Sequence, residues 1–227
     1  MKDCRIIFLG SEKVGKSSLI HQFMEGSFTD DYRPTVEESY RRMVRLPDGN
    51  YANIEILDTA GQSDFPAMRR LRIEHGNAFV VVYAVNDELS FQSAISLCRL
   101  IFSIKGRVNV PVVLVGNKLD CDTTRKVSTE TATKLALDEM GCSYVESSAK
   151  CNLNVDCLFD VLLLKKVQQE EVQEGQPRKT RRSHSSRSLC SQGSSTRKQL
   201  QRNYSVCSCV MATSDKKKKH VHGCKIM

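Results

Sequence analysis

Gly10-Ser11-Glu12-Lys13-Val14-Gly15-Lys16-Ser17 decides the fold. The stretch has the form GxxxxGK[ST]. Before it, Ile6 to Leu9 is an apolar run that reads as a strand. After it, Ser17-Ser18-Leu19-Ile20-His21-Gln22-Phe23-Met24 spaces its apolar residues as a helix does. Strand, glycine-containing loop and helix is the context this pattern needs to bind phosphate. Successive backbone N–H groups and the helix N-terminus then converge on phosphate oxygens. Gly10 and Gly15 allow the turn and the close approach. Lys16 supplies a point charge to β- and γ-phosphates, and the Ser17 hydroxyl suits Mg²⁺. The competing reading, a chance glycine-rich turn, has no explanation for the flanking strand and helix.

Outward from this loop, the periodicity alternates. Residues 37–46 and 51–58 read as two strands around the turn Pro47-Asp48-Gly49-Asn50. Residues 65–75 look helical, Phe79 to Val85 is a buried strand, and 89–104 returns to helical spacing. Val110 to Val115 is another buried strand, Ser128 opens a helix to about Met140, and Cys142 to Glu146 is a last short strand. A closing helix over 153–172 carries Val155, Leu158, Phe159, Leu162 and Leu163 on one stripe. This order predicts an α/β fold: a doubly wound, mostly parallel six-stranded sheet with helices on both faces and one antiparallel edge strand.

Charge divides the chain in two. Residues 1–172 hold 21 basic and 24 acidic side chains, whereas 173–227 hold 13 basic and 2 acidic. The formal net charge of +8 therefore belongs to the tail, and it speaks to partners rather than to fold. Periodicity disappears near residue 173, where Gln, Ser, Arg and Lys take over, so 173–227 is expected to be a disordered basic tail. The first residues show no signal-peptide anatomy, and no apolar run is long enough to span a bilayer. The 10 cysteines are scattered, which reads as reduced thiols rather than a disulfide framework.

A phosphate loop does not choose a base; two later loops do. Asn117-Lys118-Leu119-Asp120 follows the strand at Val110–Val115. A carboxylate there can accept from the N1–H and exocyclic amine of guanine, a pair adenine cannot make. Ser148-Ala149-Lys150 follows the last strand and can aim the Ala149 N–H at guanine O6. Both loops fall at the carboxyl ends of strands, where doubly wound sheets bind ligands. NKxD alone is a weak pattern; in order after a phosphate loop it is specific.

With these motifs the chain resembles the Ras-family small GTPases, a P-loop NTPase class, over about residues 4–172. The resemblance implies a small G domain over 1–172 that binds GTP or GDP with Mg²⁺ and slowly hydrolyses GTP. Nucleotide contacts fall on Gly10, Ser11, Glu12, Lys13, Val14, Gly15, Lys16, Ser17, Ser18, Phe28, Thr35, Gly61, Asn117, Lys118, Asp120, Ser148, Ala149 and Lys150. It assigns Phe28 to the edge of the base. It assigns Ser17, Thr35 and, through water, Asp58 to Mg²⁺, and Gly61 N–H to the γ-phosphate. Gln62 would orient the attacking water, with Lys16 as the other catalytic group. Tyr32-Arg33-Pro34-Thr35-Val36-Glu37-Glu38-Ser39-Tyr40 would be the effector loop. Taken singly, Phe28 reads as core, Asp58 as a turn cap and Thr35 as a loop residue; their order and spacing carry the assignment. Phe65-Pro66-Ala67-Met68-Arg69-Arg70-Leu71 resembles the Di-Ras and Dexras/Rhes groups more than Ras proper, and the long basic tail resembles that of Dexras/Rhes.

The pattern departs from Ras proper at Glu12 and Lys13, where Ras has two glycines. Glycines there leave room for an arginine finger, which is worth orders of magnitude in the rate of Ras itself. Glu12 is expected to crowd that finger, and Ras-type activating proteins are expected to work poorly. The alternative to a timed switch is a nucleotide-bound scaffold with negligible hydrolysis. An ATP-dependent enzyme is argued against by Asp120. Arg33 in the effector loop is expected to weaken docking of effectors that present a basic edge.

The chain ends Cys224-Lys225-Ile226-Met227, a prenylation box whose final Met favours farnesyl on Cys224. Lys216 to Lys219 stand just before it. One lipid chain binds membranes marginally, so a basic run beside it is the expected second signal. Cys207 and Cys209 are candidate palmitoylation sites. Serines among Arg178 to Arg187 form a candidate electrostatic switch. The expected partners are effectors, an exchange factor, an activating protein and an anionic membrane surface. The expected location is the cytoplasmic face of a membrane, the plasma membrane first. No aromatic interleaving supports nucleic-acid binding.

Overall fold

β1 (Asp3–Leu9) runs directly into the glycine-rich loop and α1 (Lys16–Glu25). The chain then forms β2 (Glu37–Arg45), β3 (Tyr51–Thr59), α2 (Pro66–His75), β4 (Ala78–Ala84) and α3 (Glu88–Lys105). β5 (Val112–Asn117), a 3₁₀ turn (Leu119–Thr124), α4 (Thr129–Lys134), β6 (Ser143–Glu146) and α5 (Val155–Glu174) complete it. These elements come from a computed structural model, which describes residues 3–46, 49–61, 65–106 and 110–174. Gln62, the first half of the predicted 47–50 turn, and the tail with Cys224, Cys207, Cys209 and Lys216–Lys219 lie outside the described residues.

The six strands form one sheet in the order β2-β3-β1-β4-β5-β6. β2 pairs antiparallel with β3, and every other pairing is parallel. Strand periodicity sorts the core into two layers. In β4, Phe79, Val81 and Tyr83 join the cluster shared with α2, α3 and α4. Val80, Val82 and Ala84 point the other way and join the cluster shared with α1 and α5. A strand covered on both faces shows no polar alternation, which is why β4 reads as a continuous apolar run.

Most elements shift by a residue or two from their predicted bounds, β1 starts three residues earlier at Asp3, and two further differences have a clear physical reason. β5 occupies Val112–Asn117 rather than Val110–Val115, because its pairing with Phe79 to Ala84 extends to Asn117. The helix expected over 128–140 begins at Thr129, capped by the Ser128 hydroxyl, which accepts from the Thr131 N–H at 3.1 Å. It widens into a π-helical segment over Leu135–Met140 and stops at Gly141, whose φ is 69°. The crossing from sheet to helices leaves the loops after β1, β3, β5 and β6 along one edge, where the candidate site lies.

Candidate nucleotide site

The loop after β1 turns back on the sheet through Gly10, whose φ is 147°. A Cβ there would lie 2.2 Å from the Val82 carbonyl oxygen, so no other residue fits without moving β4. Gly15, at φ 94°, approaches Asn117 equally closely and opens α1. Lys16 is 6% exposed, and its ammonium donates to the Gly10 and Ser11 carbonyls at 3.1 and 2.9 Å. The lysine therefore curls over the loop, holding its charge where the loop amides converge. Ser18 follows within the first turn of α1.

Three predicted Mg²⁺ residues from three segments meet beside this loop. The Ser17 hydroxyl donates to Asp58 Oδ2 at 2.5 Å and lies 2.9 Å from the Thr35 hydroxyl. Asp58, next to last in β3, is fully buried, and among the described residues its Oδ1 has no hydrogen-bond partner. Burial pushes its carboxyl above the usual range, against the opposing Ser17 hydrogen bond and Lys16 charge. A buried carboxylate with an idle oxygen, flanked by two hydroxyls, is a hard-oxygen donor set. It fits a hydrated Mg²⁺, whose charge would satisfy the idle oxygen.

The base loops are cross-braced. Asn117 is 1% exposed and donates through Nδ2 to the Val14 carbonyl at 2.9 Å. Its Oδ1 accepts from the Ala149 N–H at 3.2 Å. The amide expected to face guanine O6 is thus directed by Asn117 in this structure. Lys118 takes the left-handed conformation, φ 67°, which turns the chain toward Asp120. Asp120 Oδ1 accepts from the Ser148 hydroxyl at 2.6 Å, joining the two loops. Burial raises the Asp120 carboxyl, but the Ser148 bond, its own backbone N–H and Lys150 outweigh it, and the net shift is downward. An ionised carboxylate is what a guanine edge requires. The Lys150 ammonium lies 5.9 Å from the centroid of the Phe28 ring and 3.3 Å from Asp30, so the predicted base-edge residue sits beside the predicted base loop.

Behind these loops lies a network that periodicity could not reveal. Arg125 forks onto Glu146 at 2.7 and 3.1 Å, Tyr144 donates to the same carboxylate at 2.7 Å, and Tyr83 bonds Tyr144. Glu146 precedes the Ser148 loop and Arg125 follows the Asp120 loop, so the fork fixes their separation.

The effector segment runs irregularly through Tyr32, Arg33, Pro34, Thr35 and Val36, then enters β2 with Glu37, Glu38, Ser39 and Tyr40. Val36 in the effector segment is 85% exposed, and Phe65 just before α2 is 76% exposed. Arg72 of α2 pairs with Glu37 of β2, a contact between the effector strand and α2 that no sequence pattern signalled. Gly61 packs on the phosphate loop; a Cβ there would stand 2.4 Å from the Glu12 nitrogen. Beside it, a groove of about 880 Å³ opens between α2 and α3, away from the base loops.

Sheet order and a glycine-rich loop at the carboxyl end of β1 define a phosphate-loop α/β domain of the small G class. The Ras family profile matches residues 5–169. The chain is 43% identical to human GTP-binding protein Di-Ras1 over 162 residues, covering 71% of this chain and 80% of that protein. It is 39% identical to GTP-binding protein drn-1 of Caenorhabditis elegans over 163 residues, 71% of this chain and 74% of that protein. The chain belongs to the Ras family.

Proposed function

We propose that this chain is a GTP/GDP switch with slow intrinsic GTPase activity, its G domain spanning 1–172. One observation carries the reading: Ser17 of the phosphate loop, Thr35 of the effector segment and Asp58 of β3 meet through the Ser17 hydroxyl. A ligand seated on the phosphate loop is then felt directly by the segment that partners read. Ser17, Thr35 and Asp58 would hold Mg²⁺, which would neutralise charge on the phosphates. Lys16 and the loop amides of Glu12 to Ser18 position the phosphates. Gly61, packed against the same loop, is assigned the γ-phosphate through its N–H, and Gln62 the attacking water. Asp120, Ser148, Ala149 and Lys150 select guanine, and Phe28 closes the base edge.

In-line attack by water needs positioning and charge stabilisation more than covalent help from protein. Loss of the γ-phosphate removes what holds Thr35 and Gly61, and the two switch segments, about residues 29–40 and 58–75, relax. The output is differential binding of effectors, with an exchange factor and an activating protein setting the cycle.

Single-turnover hydrolysis of GTP by the full chain with Mg²⁺, beside Gln62→Leu, tests the reading. Slow hydrolysis that falls further in the variant supports it. Tight GTP binding with no turnover in either protein favours the scaffold reading. That reading rests on Glu12 and Lys13 in the phosphate loop, whose backbone at Glu12 packs directly against Gly61.

The tail reading rests on Cys224 and Lys216 to Lys219. Farnesylation of Cys224 with the lysine run beside it would hold the G domain at the cytoplasmic face of an anionic membrane. Among the described residues no helix is long and apolar enough to cross a membrane. Loss of membrane recovery in Cys224→Ser supports the anchor; unchanged recovery removes it.

A further inference from the structure

Residues 27–36 have no regular secondary structure, yet side chains from two loops grip them. Lys150 holds Asp30 and lies against Phe28 at the base end. Ser17 meets Thr35 at the phosphate end. Between these, the Lys13 ammonium lies 5.4 Å from the centroid of the Tyr32 ring, within cation–π reach. Lys13 reaches it from a left-handed backbone position, φ 59°, which disfavours any side chain. Tyr32 remains 51% exposed, so the ring is not held by burial.

We propose that Lys13 is a positioning residue that straps the effector segment onto the phosphate loop through the Tyr32 ring and slows release of a bound nucleoside triphosphate. This rests on the GTP-binding reading above. Lys150 on Asp30 and Ser17 on Thr35 leave the residues between them spanning two anchors. A further hold at Tyr32 shortens that free span, and the entropy of ordering is shared among three contacts. The choice of a cation follows from place: an ammonium at this loop faces the π-face of Tyr32 and the field of bound phosphates together. The strap is a surface contact, so its effect is modest and weakened by salt.

The test uses the full chain loaded with a fluorescent non-hydrolysable GTP analogue in Mg²⁺, chased with excess unlabelled GTP. Lys13→Met keeps the stem and loses the charge; Tyr32→Leu loses the ring. Each is expected to speed release about two- to five-fold. The double variant is expected to release no faster than the faster single one, while Lys13→Arg and Tyr32→Phe stay near wild type. A double variant equal to the product of the singles, or an arginine that fails to restore slow release, overturns the strap. A wild-type chain that retains no labelled nucleotide overturns the GTP reading itself, which separates the two failures.

Discussion

Asn117 donates through Nδ2 to the Val14 carbonyl at 2.9 Å, across 103 positions of the chain, and so ties the base loop to the phosphate loop. The same side chain accepts from Ala149, making it the node of three loops. Asn117→Ala leaves two buried backbone groups without partners, each costing about 1–3 kcal/mol. Nucleotide release is expected to accelerate about 10- to 100-fold, with a lowered melting temperature. Equal release rates for variant and wild type would show that the loops hold their spacing without it.

Asp120 is expected to set base choice through its charge. It is held ionised by Ser148, its own N–H and Lys150 despite burial. Asp120→Asn places an N–H₂ where guanine already presents an amine, so GTP binding should fall by about 100-fold or more. Xanthosine triphosphate, which presents a carbonyl at that position, should gain. Competition between the two nucleotides against a labelled one measures this, and unchanged preference rejects the assignment.

Glu55 predicts a feature of the acid stability curve. It bridges Arg41 on β2 and Arg5 on β1 from its place on β3, and these hydrogen bonds hold its carboxyl below the ordinary glutamate range. A depressed acid stabilises the fold above its unfolded pKa and loses that contribution as pH falls through its folded pKa. Wild type is therefore expected to be more stable than Glu55→Gln at about pH 6, with the gap closing toward about pH 3. Parallel melting curves across that range check it; a constant gap contradicts the linkage.

Arg72 and Glu37 are expected to couple the two switches. The Arg72 side chain is 12% exposed against 40% for Glu37, so the pair is screened less than an open surface bridge. Arg72→Met should raise amide exchange in β2 near Glu37 by about two- to five-fold, consistent with a contact worth up to about 1 kcal/mol. Exchange that changes only within α2 would show that the switches move independently.

The glycine-rich loop, its flanking strand and helix, and both base loops were legible in the sequence. Their chemistry depends on consecutive backbone groups and on which residue types follow which strand ends. The two-faced sheet was legible too, because strands covered on both sides must be apolar throughout, as Phe79 to Val85 is. Tertiary structure alone decided the rest. Pairing with β4 carried β5 to Gly116 and Asn117, burying a polar residue that hydrophobic periodicity places in a loop. The contacts Asn117–Val14, Arg125–Glu146, Arg72–Glu37 and Lys13–Tyr32 join side chains whose sequence neighbours say nothing of one another. Local propensity acts over a few residues, whereas these partners meet only after the sheet has set the order of its loops along one edge.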